Sequence, residues 1–285
     1  MPEARRRWTN PPRLPKSRFV KRQFHKMHGL GNDFVILDGR IEPTAISAAL
    51  ARALADRQIG IGCDQLILLG PSDVAALKMS IFNADGGEVE ACGNAARCVV
   101  ALTGAARIET QGGLLEGAAV GDEIEVVLEP PRFEWDAIPL AYPMDTAALP
   151  LAWDEFAEPM AVNVGNPHVM FFVDAVDEDR LRAVGPTIEH DAAFPERINV
   201  NVASVGANGI SLSTWERGAG LTLACGTGAC ATAVAAIVKK KAASPVRVAM
   251  KGGDLTISWA PGEPIRMRGL ATFVFSGEID LEAFA

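Results

Sequence analysis

No stretch of this chain reaches the ~20 consecutive apolar residues that a bilayer-spanning helix needs. The longest, Leu223 to Val238, is interrupted by Gly226, Thr227, Gly228 and Thr232. It reads instead as a helix buried in protein, with Lys239 to Lys241 as favourable charges at its C-terminal end. Cys-x-x-Cys is absent among the five cysteines, which argues against a disulfide oxidoreductase, and no close pairs of cysteine or histidine mark a structural zinc site. The N-terminus has no apolar segment behind its basic residues and is not a secretory signal. Basic charge is scarce elsewhere. Nine of the 27 Lys and Arg residues precede Met27, leaving 18 against 34 acidic residues and a net charge near −16. Such a balance argues against nucleic acid or an anionic membrane as main partner. Residues 1–23 read as a disordered, solvated basic extension, with a transit peptide or a misassigned start site as alternatives.

What is present is an ordinary globular composition, 49% hydrophobic and 22% charged, in 285 residues, enough for about two domains. The halves repeat. "SIFNADGGEVEACGN" lies over "STWERGAGLTLACGT", so that Ser80, Gly87, Ala91, Cys92 and Gly93 match Ser213, Gly220, Ala224, Cys225 and Gly226, each 133 residues on. "GNDFVILD" from Gly31 and "GNPHVMFFVD" from Gly165 extend the match upstream. A period this long signals duplicated domains rather than a solenoid.

Hydrophobic patterning predicts strands at "FVILDGR", "QLILLG" and "EIEVVLEP" in the first half, with a helix over "TAISAALARALADRQ" after Pro43. "PPRF", Pro130 to Phe133, marks the boundary. The second half reads as a strand over "AVNVGNPHVMFFV", a short helix over "VDEDRLRAVG", and strands at "GISLSTWE", "VRVAM", "LTISW" and "FVFSGEIDL". In each half a cysteine stands where a glycine-bearing loop enters an alanine-rich helix: "CGNAARCVVALTG" and "CGTGACATAVAAIVKK".

A helix start has unpaired N–H groups and partial positive charge, and lowers thiol pKa values from ~8.5 to about 3.5–7.5. Cys92 and Cys225 meet this requirement. Cys98 and Cys230 lie within their helices and read as buried fillers, and Cys63 has no activating partner. If the halves pack face to face, two thiols flank one bound molecule. One could then remove a proton from carbon while the other returns one to the opposite face. The N–H groups of Gly93, Asn94, Gly226 and Thr227 could hold a carboxylate and the charge that builds beside it. A nicotinamide fingerprint at "CGTGACA" is weaker, because Ala95 stands where Gly228 does and the acidic residue ~20 positions on is missing. A cysteine hydrolase using His168 or His190 would not need two equivalent loops.

Six motifs in order, "MHGLGNDFVILD", "GIGCDQLILLG", "FNADGGEVEACGNAARC", "VGNPHVMFFV", "ERINVNV" and "WERGAGLTLACGTGACA", resemble the diaminopimelate epimerase family from Met27 almost to the C-terminus. The resemblance implies an α/β (α+β) fold of two pseudo-symmetric lobes, each a curved mixed sheet or barrel around a central helix, with the active site between them. It implies an isomerase needing neither pyridoxal phosphate nor metal, interconverting LL- and meso-diaminopimelate for lysine and peptidoglycan synthesis in the bacterial cytoplasm, and commonly a homodimer. The lobes are expected over residues 24–130 with a returning strand at 275–285, and over 131–274. By resemblance the acid/base pair falls on Cys92 and Cys225, with His168 and Glu216 assisting proton movement. Substrate contacts fall on Asn32, Gln65, Asn83, Gly93, Asn94, Asn166, Asn199, Glu216, Arg217, Gly226 and Thr227.

Arg217 suits a bidentate carboxylate clamp, and the amides with Glu216 suit ammonium groups. Two residues depart from the family pattern: Ala95 replaces a common glycine, and Leu221 a common polar residue, which is expected to alter loop packing. Another amino-acid racemase of the same fold, or a two-lobed binding protein without chemistry, are the competing readings. The presence of both cysteines argues against the second.

Overall fold

The computed structural model describes residues 21–90 and 92–284. Its first half contains β1 (Lys21–Gly29), β2 (Asn32–Asp38), α1 (Ala48–Ala55), β3 (Gln65–Gly70), β4 (Leu77–Asn83), β5 (Glu88–Val89), α2 (Gly93–Thr103), β6 (Arg107–Thr110), β7 (Gly113–Val120) and β8 (Glu123–Leu128). The second contains β9 (Ala152–Trp153), β10 (Phe156–Ala157), β11 (Met160–Asn163), β12 (Pro167–Phe172), α3 (Glu178–Glu189), β13 (Asn199–Gly206), β14 (Gly209–Glu216), β15 (Gly220–Leu221), α4 (Gly226–Val238), β16 (Val246–Met250), β17 (Gly253–Ser258) and β18 (Ile265–Gly269). The last strand, β19 (Thr272–Asp280), is followed by a short 3₁₀ turn.

The duplication read in the sequence is a duplication of pairing. In the first half β2 runs parallel to β3, β3 antiparallel to β4, β4 parallel to β6, and β6, β7 and β8 form an antiparallel meander. The same order recurs through β12, β13, β14, β16, β17 and β18. Parallel neighbours need a crossover connection. α1 and α2 supply it in one half, α3 and α4 in the other. The halves join where β8 pairs antiparallel with β18, from Leu128↔Ile265 to Ile124↔Gly269. β19 returns to pair antiparallel with β1, from Lys21↔Asp280 to His28↔Thr272.

Each half wraps its sheet around one helix. Ala95, Ala96, Cys98, Val99 and Val100 of α2 share a single apolar core with Ala229 to Ala231 and Ala233 to Ala236 of α4. Alanine is what an enclosed helix allows, since short side chains let the strands close around its ~10–12 Å cylinder. A second core holds α3 against the outer face of its half, and a third holds α1.

Several boundaries differ from the sequence reading. β1 starts at Lys21, so residues 21–23 belong to a strand rather than to the basic extension, because β19 offers them a pairing edge; the rest of that segment lies outside the described residues. β19 starts at Thr272, three residues before the expected return. The single strand expected over "AVNVGNPHVMFFV" is two antiparallel strands, β11 and β12, since Asn163 Oδ1 accepts the Gly165 N–H at 2.8 Å and Gly165 takes φ +107° to turn the chain. α1 is shorter than predicted, because the Ser47 side chain caps it by accepting the Leu50 N–H.

Candidate active site

Cys92 and Cys225 are the N-cap residues of α2 and α4, both in extended backbone conformation. Their carbonyls accept the first helical bonds, from Ala96 and Ala229, at 2.9 Å each. The two helix starts converge on Met267, in the β18 seam. A Cβ on Gly93 would come within 2.4 Å of Met267 Cε, and one on Gly226 within 3.1 Å of its Sδ and 3.3 Å of Asn94 Oδ1. A side chain after either cysteine would have to displace the end of Met267, so the glycines let both N-termini lie close against it.

The Cys92 thiol faces Asn32 Oδ1 at 3.9 Å, and the nearby backbone N–H groups of Asn94 and Ala95 pull its pKa down. Cys225 Sγ accepts the Gly228 N–H at 3.4 Å and lies 3.6 Å from Thr227 Oγ1. The helix-start effect expected from the sequence operates on both sulfurs but loses. Burial pushes both the Cys92 and the Cys225 thiol up, and the negative charge of the Glu216 carboxylate raises each further. Arg97 opposes the rise at Cys92. Both sulfurs hold their protons at neutral pH in this arrangement. Cys63, Cys98 and Cys230 are buried, and burial lifts their pKa values to about 11, 12 and 12, in keeping with inert fillers.

Glu216 ends β14, accepts the Thr222 hydroxyl at 2.6 Å, and is itself shifted up by burial. Arg217 is exposed, donates to the Glu196 carbonyl at 3.1 Å, and has no carboxylate within ion-pair distance among the described residues. Gln65 and Asn83 are cross-strand partners joined by a 2.9 Å bond from Gln65 Nε2 to Asn83 Oδ1. The buried Gln65 Oε1 finds no donor among the described residues and is available to an ammonium group.

Other expected contacts are committed to the framework. His168 is fully buried, and both its ring nitrogens are taken, Nδ1 by the Asn201 amide at 3.1 Å and Nε2 by Asn166 Oδ1 at 2.8 Å. Since the Asn201 NH₂ donates, the proton sits on Nε2. Burial, with the Arg217 charge, lowers its pKa to about 3, so the ring is neutral. Neither ring nitrogen is bonded to a cysteine. Asn199 donates to the Pro167 carbonyl at 2.8 Å and accepts the Arg217 N–H at 2.9 Å, fixing the backbone beside Glu216. Asn32 donates to Asp64 Oδ2 at 3.0 Å and accepts from Asn94 at 3.3 Å.

Four participants escaped the sequence reading. Asn201 could have been found from strand period two, which puts it on the same face as Asn199. Thr222 and Asp64 stand beside motifs already singled out, whereas Met267 carries no local signal. Of the two departures, Ala95 lies in the apolar core with Ile81, where its counterpart Gly228 faces the polar Asn201 and Thr214, so a methyl is tolerated in one half only. Leu221 pairs with Trp215 across β14 and β15 and packs on the α3 core.

This duplicated α/β fold, with a cysteine heading each central helix, places the chain in a structural class of two-lobed proteins built from a repeated half. A hydroxyproline epimerase from Agrobacterium vitis shares the fold at TM-score 0.64 and 14% identity, covering 91% of each chain, as does a phenazine biosynthesis protein of the PhzF family from Bacillus anthracis at TM-score 0.63 and 14% identity, covering 91% of this chain and 99% of that one. The chain belongs to the diaminopimelate epimerase family, whose model matches residues 24–133 and 160–274. Relatives named diaminopimelate epimerase include one from Rhizorhabdus wittichii, 64% identical over 92% of this chain and 97% of its own, and one from Sphingopyxis alaskensis, 61% identical over 92% and 98%.

Proposed function

We propose that this protein interconverts LL- and meso-2,6-diaminopimelate without pyridoxal phosphate or a metal, through Cys92 and Cys225. The observation that carries this reading is the meeting of two Cys-Gly helix starts on Met267, in a chain of the diaminopimelate epimerase family. One sulfur, as thiolate, takes the α-proton: the C–H bond breaks, an S–H bond forms, and the electron pair stays on carbon, spread into the adjacent carboxylate. The opposite S–H then gives its proton to the other face and becomes thiolate, leaving the roles exchanged. N–H groups of Gly93, Gly226 and Thr227 hold the carboxylate where charge builds, and Arg217 supplies a cation. Glu216, Gln65 and Asn83 receive ammonium groups. Neutral His168 holds Asn166 in place rather than carrying the proton.

In heavy water the purified enzyme, with no cofactor added, should wash deuterium into the α-position of LL-diaminopimelate. Retention of all the protium would count against the reading. Replacing either cysteine by alanine should lower epimerisation by at least ~10²–10⁴-fold, the span of a positioned acid or base. Because both thiols are shifted upward, kcat/KM should rise from neutral into alkaline pH. A profile flat from pH 6 to 9 would contradict a rate set by thiolate formation.

We propose further that two copies associate through β19, which pairs only with β1 among the described residues and exposes Phe273, Val274 and Phe275. The division of the lobes between residues 130 and 131 is supported by Arg132, which pairs with Asn163 of the second half. Its returning segment begins at Thr272. A cytoplasmic site of action follows from the proposed substrate; among the described residues no helix is long and apolar enough to cross a membrane.

A further inference from the structure

Arg97 is buried, and among the described residues its only carboxylate influence is the more distant Glu123. Its side chain is fully enclosed in α2, no carboxylate lies within ion-pair distance among the described residues, and its Nε has no partner there. Its contacts are a 2.8 Å bond from Nη2 to Asn94 Oδ1 and a 3.5 Å approach of Nη1 to Met267 Sδ. Enclosing a cation this way is costly, and an apolar residue would fill the space more cheaply. The duplication supplies that comparison, because the position equivalent to 97, 133 residues on, is Cys230. The second half folds around its central helix with no cation there.

The bonds leaving Arg97 run in one direction. A guanidinium only donates, so Asn94 must present its oxygen to Arg97 and its NH₂ outward, where it donates to Asn32 Oδ1 at 3.3 Å. Asn32 in turn gives its NH₂ to Asp64 Oδ2 at 3.0 Å. A donor-only group at one end and a carboxylate at the other fix both amides, and the middle of the chain is the oxygen facing the Cys92 thiol. Resting on the two-cysteine reading, we infer that Arg97 is a positioning residue for the Cys92 half of the site, orienting Asn94 and Asn32 and furnishing the fixed positive charge that favours the Cys92 thiolate. The charged and titratable groups near Cys92 are Arg97 and Cys98 on α2 and Glu216 at the end of β14. Only Arg97 favours the anion.

The test measures alkylation of each cysteine by iodoacetamide against pH, read by peptide mass spectrometry, in wild type, Arg97→Lys and Arg97→Met. The alkylation readout needs no turnover, so its outcome is separate from whether diaminopimelate is the substrate; only the KM readout of Arg97→Lys depends on that reading. The Cys92 profile should move to higher pH in Arg97→Met, seen as slower alkylation at a fixed pH below the midpoint, while Cys225 keeps its profile. Arg97→Lys should keep the Cys92 profile near wild type but raise KM for diaminopimelate, since an ammonium lacks the fork that sets Asn94. Unchanged Cys92 reactivity in a folded Arg97→Met protein, or an equal shift at both cysteines, overturns the inference. Should Arg97→Met not fold, Arg97→Lys decides: wild-type KM with a shifted Cys92 profile refutes the role, and the reverse supports it.

Discussion

At the scale of single residues, Gly228 and His168 show how much of the second half is organised around one polar network. Thr214 Oγ1 donates to Asn201 Oδ1 at 3.0 Å, and Asn201 donates to His168. A Cβ on Gly228 would fall 2.6 Å from Asn201 Oδ1 and 2.9 Å from Thr214 Oγ1. Gly228→Ala is therefore expected to destabilise by about 1–3 kcal/mol, the range for overpacking, despite its gain in helix propensity. Urea unfolding of that variant beside Ala95→Gly, which should cost only about 1 kcal/mol of helix propensity, measures the contrast. His168 has its own signature. With a folded pKa near 3 against 6.5 for a free imidazole, the unfolded chain binds the extra proton between those values. Stability is full above pH 6.5 and drains as pH falls toward 3, by on the order of a few kcal/mol. His168→Gln should flatten that acid limb in denaturant midpoints recorded from pH 7 to 4.

At the scale of elements, the β14–β15 turn carrying Glu216 and Arg217 is pinned from outside. Glu189, buried at the end of α3, accepts the Trp215 indole N–H at 2.8 Å and the Gly218 N–H at 2.9 Å. Glu189→Ala strands both donors, at about 1–3 kcal/mol each where buried. Hydrogen exchange should quicken at residues 215–220 and not in α2, with kcat/KM lowered; unchanged exchange at the turn would show that Glu189 does not hold it. Elements were legible where the pattern was local. "QLILLG", "GISLSTWE" and "VRVAM" coincide with β3, β14 and β16. β13 went unread because Asn199 and Asn201 interrupt its apolar run, and their reason for burial, bonds to β12 and the Arg217 backbone, lies in other segments. The cysteine loops were legible through duplication. Their ionisation was not, since burial depends on how the halves pack.

At the scale of the whole molecule, the halves share one apolar core and one sheet, so Cys92 and Cys225 are held by the β8–β18 seam rather than by a linker alone. The proposed association through β19 predicts that Phe273→Asp with Phe275→Asp converts a dimer to a monomer in analytical ultracentrifugation. A wild-type protein that sediments as a monomer at micromolar concentration would remove that proposal.

The pairing of β1 with β19 has a consequence for biogenesis. Of the described strands, the first to be synthesised waits, with one side bare, until about 250 further residues have been made. The opening half therefore closes its sheet only once β19 has been made, although its own strands are synthesised long before.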